Sequence, residues 1–286
     1  MVKETQLFRI KRTLFSSEIK RLFETEVDNV VILCNTKNLT MGGSISNNMI
    51  ISIVFKKNVE NLTYKKSDKY IMLPIKEFKE KLVGLNGNFV EFLYKVQNNN
   101  QIVTIKSGKV THKLTIKDNA EYAAIENAII NIVPKIGSEE NLENYFGCSI
   151  DDFKIVKTMI NGLSYSDSIF LESAKDNMNV YIKPIKGGTN ESLIEVPIKD
   201  TDGDNAACKI HKLYVKGFSI FDKFDLYIHN ESPVYATAED ENVIKDLIIA
   251  TRDESDDNTD ESEEPAEDEL DDYETKLEDE SFDLSE

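Results

Sequence analysis

Several signatures of chemistry are missing from this 286-residue sequence, and each absence narrows what the chain can be. It has no Gly-rich phosphate loop, no G-x-S-x-G turn, no H-E-x-x-H and no paired-carboxylate pattern. No enzymatic site and no cofactor are therefore expected. The three cysteines, Cys34, Cys148 and Cys208, stand alone with no C-x-x-C. They suggest neither a disulfide framework nor a zinc site, and they fit a reducing compartment. The three histidines, His112, His211 and His229, are scattered among strand-like segments without ligand spacing, so no metal is expected. The start, Met-Val-Lys-Glu-Thr, lacks a signal-peptide pattern, and no apolar run approaches the length of a membrane span. A cytoplasmic protein (host-cell cytoplasm if viral) with no membrane partner is the expectation.

The charge is unevenly placed. The formal net charge is −18, but residues 253–286 alone hold nineteen acids and one base, Lys276. The remaining body is neutral, with thirty-three bases and thirty-three acids, and its first 120 residues hold twenty bases against eleven acids. The terminal stretch is Asp, Glu, Ser and Thr with few apolar residues, and such a composition cannot offset ordering entropy. A disordered acidic tail at 253–286 is expected.

Within the body, one plan of elements occurs twice. Ile75, Phe78, Leu82 and Leu85 recur at helical spacing behind Pro74, which suits a first turn. Strand-like runs follow at Phe89–Val96, Gln101–Ser107 and Lys109–Lys117, with turns at Gln97–Asn100 and Gly108. Downstream, Lys212–Phe224 reads as a short helix, followed by strands at Asp225–Ile228, Val234–Ala238 and Val243–Arg252. Earlier in each half, Ser16-Ser17-Glu18 opens a helix with an Ile19/Leu22/Phe23 stripe. Ser149-Ile150-Asp151-Asp152 opens another, with Phe153, Val156 and Ile160 on one face and Gly162 at its end. Two strand-like segments follow each: Val30–Cys34 and Met49–Phe55, then Ser168–Ser173 and Asn179–Ile185. Gly42-Gly43 and Gly187-Gly188 read as turns between strands. The expected fold is α+β: two tandem domains, 1–118 and 149–252, each of antiparallel sheet with two short helices on one face. A connector, 119–148, is broken by Pro134, Gly137 and Ser138.

Bases sit opposite the apolar stripe on all four helices. They are Lys20 and Arg21 on the first, with Lys11 and Arg12 just before it, Lys76 and Lys79 on the second, Lys154 and Lys157 on the third, and Lys216 and Lys223 around the fourth. A solvated face explains any one helix; recurrence on all four points to a stripe for phosphates. Lysines without interleaved aromatics suit sequence-independent backbone contact.

Two other motifs favour plain readings. Asp200-Thr201-Asp202-Gly203-Asp204-Asn205 resembles a calcium loop, but Asn205 stands where Gly is needed and His211 where a bidentate Glu is needed. An acidic surface turn fits better. Glu139-x-x-Leu142-x-x-Tyr145-Phe146 resembles a clamp-binding peptide with Glu in place of Gln, though an apolar stretch packing the connector onto a domain explains it better.

The segment from Leu73 to Phe78 with its following hairpin, Ser149 to Gly162, and Lys212 to Arg252 together resemble the DNA sliding clamps, the T4-type phage clamps most of all. The resemblance covers about residues 1–252. It implies a head-to-tail homotrimer around duplex DNA, with helices lining the hole and sheets forming the outer wall. It also implies a replicative DNA polymerase and a clamp loader as partners, with peptides docking beside the connector. The ten bases named above would face the DNA, and the tail would hang outside, repelling DNA or binding basic partners. The long connector and the acidic tail depart from the family pattern. A viral structural or assembly protein, using its tail to hold a basic partner, is the alternative.

Overall fold

The computed structural model describes residues 4–27, 29–34, 38–46, 48–56, 63–64, 69–98, 100–116, 121–151, 168–184 and 194–252. Residues 1–251 form one compact unit. It is a mixed α+β fold of antiparallel sheets with few, short helices.

In chain order, β1 (Thr5–Lys11) leads into α1 (Arg12–Phe23), then β2 (Asn29–Cys34), β3 (Leu39–Ile45), β4 (Met49–Phe55), β5 (Thr63–Tyr64) and β6 (Lys69–Pro74). Helix α2 (Ile75–Leu82) precedes β7 (Phe89–Gln97), β8 (Asn100–Ser107) and β9 (Val110–Ile116). The connector begins as α3 (Glu121–Asn127), widens to a π-helical turn at Ala128–Ile132 and ends in the helical turns Val133–Ile136 and Glu139–Leu142. The second half holds β10 (Phe146–Ile150), β11 (Ser168–Ala174), β12 (Asn179–Pro184), β13 (Ile194–Pro197), β14 (Lys199–Asp202) and β15 (Ala207–His211). A 3₁₀ helix, Lys212–Ile220, then leads to β16 (Phe224–Ile228), β17 (Val234–Glu239) and β18 (Val243–Ile249).

The duplication is visible in strand order. The first half makes a five-stranded sheet, β5-β1-β7-β8-β9, and the second half makes β14-β10-β16-β17-β18 in the same order. Likewise β6-β2-β3-β4 matches β15-β11-β12-β13. The second half's five strands join the first half's four through β18 and β4, giving a continuous nine-stranded sheet. Seven antiparallel residue pairs make this seam, from Val243 opposite Phe55 to Ile249 opposite Met49. The strands in the corresponding places, β9 and β13, end their sheets as open edges among the described residues.

Several sequence expectations need correction. A further strand, β3, lies between β2 and β4, because Gly42 and Gly43 lie inside it instead of in a turn. Helix α1 begins at Arg12, four residues before the expected cap; Ser17 is interior, and its hydroxyl donates to the Leu14 carbonyl at 2.9 Å. Pro74 closes β6 instead of opening α2. Ser149 and Ile150 end strand β10 instead of opening a helix, and the Phe153–Gly162 part of that reading lies outside the described residues, as does Gly187-Gly188. Pro134 does not break the connector. It sits at the start of a helical turn, where a missing N–H is tolerated, directly after the π-helical widening.

Gly42 shows why β3 needs its glycines. A Cβ there would lie 2.4 Å from the Ile51 carbonyl oxygen and 2.5 Å from Cδ1 of Ile129, which the connector lays on the sheet. The neighbouring Gly43 points the other way, toward Val27 behind α1. The connector's buried residues Ile125, Ala128, Ile129 and Val133 thus cover the sheet face opposite the helices. Gly42→Ala is expected to destabilise the protein by about 1–3 kcal/mol in urea unfolding, because the backbone oxygen cannot yield easily. An unchanged midpoint would show that the connector does not press on β3.

Tyr145 and Phe146 are buried, so the motif ending in them packs the connector and is not an exposed peptide. The Asp200–Asn205 stretch is a surface turn in which Asp202 caps the Gly203 amide at 2.8 Å. No group of His, Cys, Asp or Glu able to hold a metal occurs among the described residues. Burial pushes all three cysteine thiols up to about 12, which leaves them unreactive. No described helix is long and apolar enough to cross a membrane.

Candidate nucleic-acid interface

Aromatic packing sets the helices side by side. Phe15, Ile19 and Leu22 form the buried stripe of α1 at helical spacing. Phe78 of α2 meets Phe15 at 6.4 Å and Phe23 at 6.0 Å, centroid to centroid, both edge-on. On its other flank α1 packs against the 3₁₀ helix. Arg21 there donates to the Ile220 carbonyl at 3.2 Å and to Asp222 Oδ2 at 2.6 Å. Three of the expected four helical segments therefore form one contiguous layer, α2–α1–3₁₀. Together they carry eight bases (Arg12, Lys20, Arg21, Lys76, Lys79, Lys81, Lys212, Lys216) against three carboxylates, Glu18, Glu77 and Glu80. The layer is net positive although the body as a whole is neutral.

The ten bases singled out in the sequence divide into groups. Lys11, Lys20, Lys76 and Lys79 are exposed. None of the four has an ion-pair partner among the described residues, and Lys79 Nζ lies 5.9 Å from the Phe23 ring centre. Four others are engaged. Arg12 Nε donates to the Gly87 carbonyl at 2.7 Å, holding α1 to the loop after α2. Arg21 is held by Asp222; that hydrogen bond raises the guanidinium pKa and lowers the carboxyl's. Lys216 pairs with Glu26 at 2.5 Å and Lys223 with Asp151 at 3.2 Å. Lys199 also pairs with Asp151 and, with Lys223, lowers its pKa. Lys154 and Lys157 lie outside the described residues.

One element of this layer has no counterpart in the sequence reading. Lys245 of β18 and Glu18 of α1 face each other at 2.8 Å, both side chains only 7% exposed. The geometry is that of a Coulombic pair, since Glu18 Oε2 accepts no hydrogen bond. Lys245 Nζ donates instead to the Ile220 carbonyl at 3.3 Å, and Ser17 donates to Glu18 Oε1 at 3.3 Å. Glu18, Arg21, Ile220, Asp222 and Lys245 thus tie α1 to the second half along the β18–β4 seam. Lys245 reads in sequence as one charge in a strand; its partner lies 227 positions away and leaves no local signal.

Chemically, the layer offers exposed ammonium groups backed by the packed helices and sheet. That arrangement attracts a polyanion without fixing its register. An apolar cavity lies elsewhere, lined by Ile150, Ile169, Leu171, Val180, Ile182, Val196, Val215, Phe218 and Leu226.

No protein-family model and no curated protein sequence matches the chain. Solved structures do match it in fold. The PCNA of A. fulgidus, with the C-terminal region of FEN-1 bound, is 16% identical over 89% of this chain and 99% of its own, with a TM-score of 0.63. Proliferating Cellular Nuclear Antigen from Entamoeba histolytica is 12% identical, covering 88% and 100%, with a TM-score of 0.62. The PCNA2–PCNA3 complex of Sulfolobus tokodaii gives 17% identity, 87% and 99% coverage, and a TM-score of 0.58. The chain has the fold of the PCNA-type sliding clamps over nearly their whole length.

Proposed function

We propose that this chain is a sliding clamp, which encircles duplex DNA and tethers the replicative polymerase as a processivity factor. The supporting observation is the internal seam. The chain already joins its two halves by pairing β18 with β4, and the equivalent strands, β9 and β13, are left as edges. Repeating the same join between molecules links β9 of one copy to β13 of the next, head to tail. Such a heterologous contact closes into a ring when the rotation permits, and closure covers the exposed edges. A homotrimer is the proposed closed form, placed on DNA by a clamp loader.

In that ring the α2–α1–3₁₀ layer turns inward, and the exposed Lys11, Lys20, Lys76 and Lys79 meet the phosphates, with Lys154 and Lys157 from the second half. Arg12, Arg21, Lys216 and Lys223 act in the same layer through the contacts described above. Retention comes from topological linkage, so individual contacts can stay weak enough for sliding. Domains 1–118 and 149–252 are the proposed repeating units.

The test is solution mass together with retention on DNA. A species of three 32.6 kDa chains that stays on closed circular DNA but leaves linear DNA is expected. A monomer at all concentrations, or equal retention on both forms, would contradict the ring.

A further inference from the structure

The open edge of the first half holds a titratable residue at a place where the closed seam leaves no charge uncompensated. Along β18 the side chains facing the helices are Lys245, Leu247 and Ile249, all buried, and Lys245 is matched by Glu18. By the same alternation, β9 turns Val110, His112, Leu114 and Ile116 inward, while Thr111, Lys113 and Thr115 are exposed. His112 is half-buried, and its Nε2 atom is buried with no hydrogen-bond partner. We propose that His112 is a pH gate on the seam between copies, closing it when neutral and opening it when protonated. This rests on the ring reading above and concerns the regulation of the same edge.

The surroundings of His112 give the sign. On β8 it stands opposite Ile105, with Val103 and Ser107 on the same face; on its own strand Val110 and Leu114 flank it. Strand β6, which packs against β9, carries Leu73 in the core and, as titratable residues, Lys69 and Tyr70. Across the proposed seam, β13 turns Ile194 and Val196 inward and its one carboxylate, Glu195, outward. The exposed Lys109 and Lys113 lie on the outward face with Glu195, away from the imidazole. A second copy laid on β9 therefore covers what remains exposed of His112 and adds Ile194 and Val196 beside it. Burying an imidazolium there costs far more than burying a neutral imidazole. Assembly takes the neutral form, so a copy whose His112 carries a proton must release it to close the seam.

Sedimentation of the full chain at about pH 8 and about pH 5, bracketing the ordinary histidine range, tests the gate. For the wild type, the dissociation constant of the seam is expected to be at least about tenfold higher at about pH 5 than at about pH 8. His112→Leu is expected to stay assembled at both pH values, and His112→Gln to lose the pH dependence while keeping a polar side chain. His229→Gln, remote from this edge, is expected to behave as the wild type. Equal assembly of the wild type at both pH values, or acid dissociation retained in His112→Leu and His112→Gln, overturns the gate. A chain that assembles at about pH 8 and ignores acid removes the gate alone; one that is single at both values removes the ring as well.

Discussion

Changing Lys20, Lys76 and Lys79 together to Glu is expected to abolish retention on closed circular DNA and stimulation of the polymerase, while the oligomer keeps its mass. These three side chains are exposed on adjacent helices and hold no ion pair among the described residues, so the fold does not depend on their charge. Removing a single lysine–phosphate interaction should lower the salt dependence of binding by about one unit of log–log slope. Reversal also adds repulsion in place of attraction, which is why abolition, not weakening, is expected. Extending the set to Lys154 and Lys157 is expected to deepen the effect. Arg21→Ala should behave differently. It removes the hydrogen bonds to Asp222 and the Ile220 carbonyl, so stability falls first and DNA retention only in consequence. Stimulation unchanged in the triple Glu variant, with the oligomer intact, would take the helix layer out of DNA binding.

Lys245→Ala is expected to cost about 3–5 kcal/mol in chemical unfolding, because it leaves Glu18 buried and uncompensated. The Ile220 carbonyl is deprived of a donor in the same step. Replacing the pair with Met at Lys245 and Leu at Glu18 should restore most of that stability, since apolar side chains of similar volume remove the desolvation cost of both ions. A Lys245→Ala protein unfolding at the wild-type midpoint would mean that water reaches the pair and screens it. Because the pair spans the seam, the destabilisation should come with faster hydrogen exchange along β4 and β18.

Hydrophobic spacing made much of the framework legible. The strands β7, β8, β9, β16 and β17 fall within one residue of their expected ends, and β18 stops three residues short of Arg252, because alternation and turn residues are local signals. The stripe through Phe78 identified α2. Other features depended on packing between residues distant in sequence. Gly42 and Gly43 resemble a turn until Ile129 and Val27 are known to press on opposite faces of β3. Ser149 resembles a cap until β10 is seen paired with β16. The candidate site divided the same way. That the helices are basic can be read from periodicity, but which bases are already engaged cannot. Arg21 and Asp222 are 201 positions apart, and Lys216 and Glu26 are 190 apart.

The join of β18 to β4 also sets how an assembled ring would come apart. Each copy carries one joint within its own backbone, which dilution cannot undo, and one that depends on concentration. Parting a single intermolecular joint leaves an open arc whose two ends remain tethered through the other copies. The high effective concentration of those ends favours re-closure over dispersal. A strand of DNA could thus enter or leave through one gap without the assembly being rebuilt.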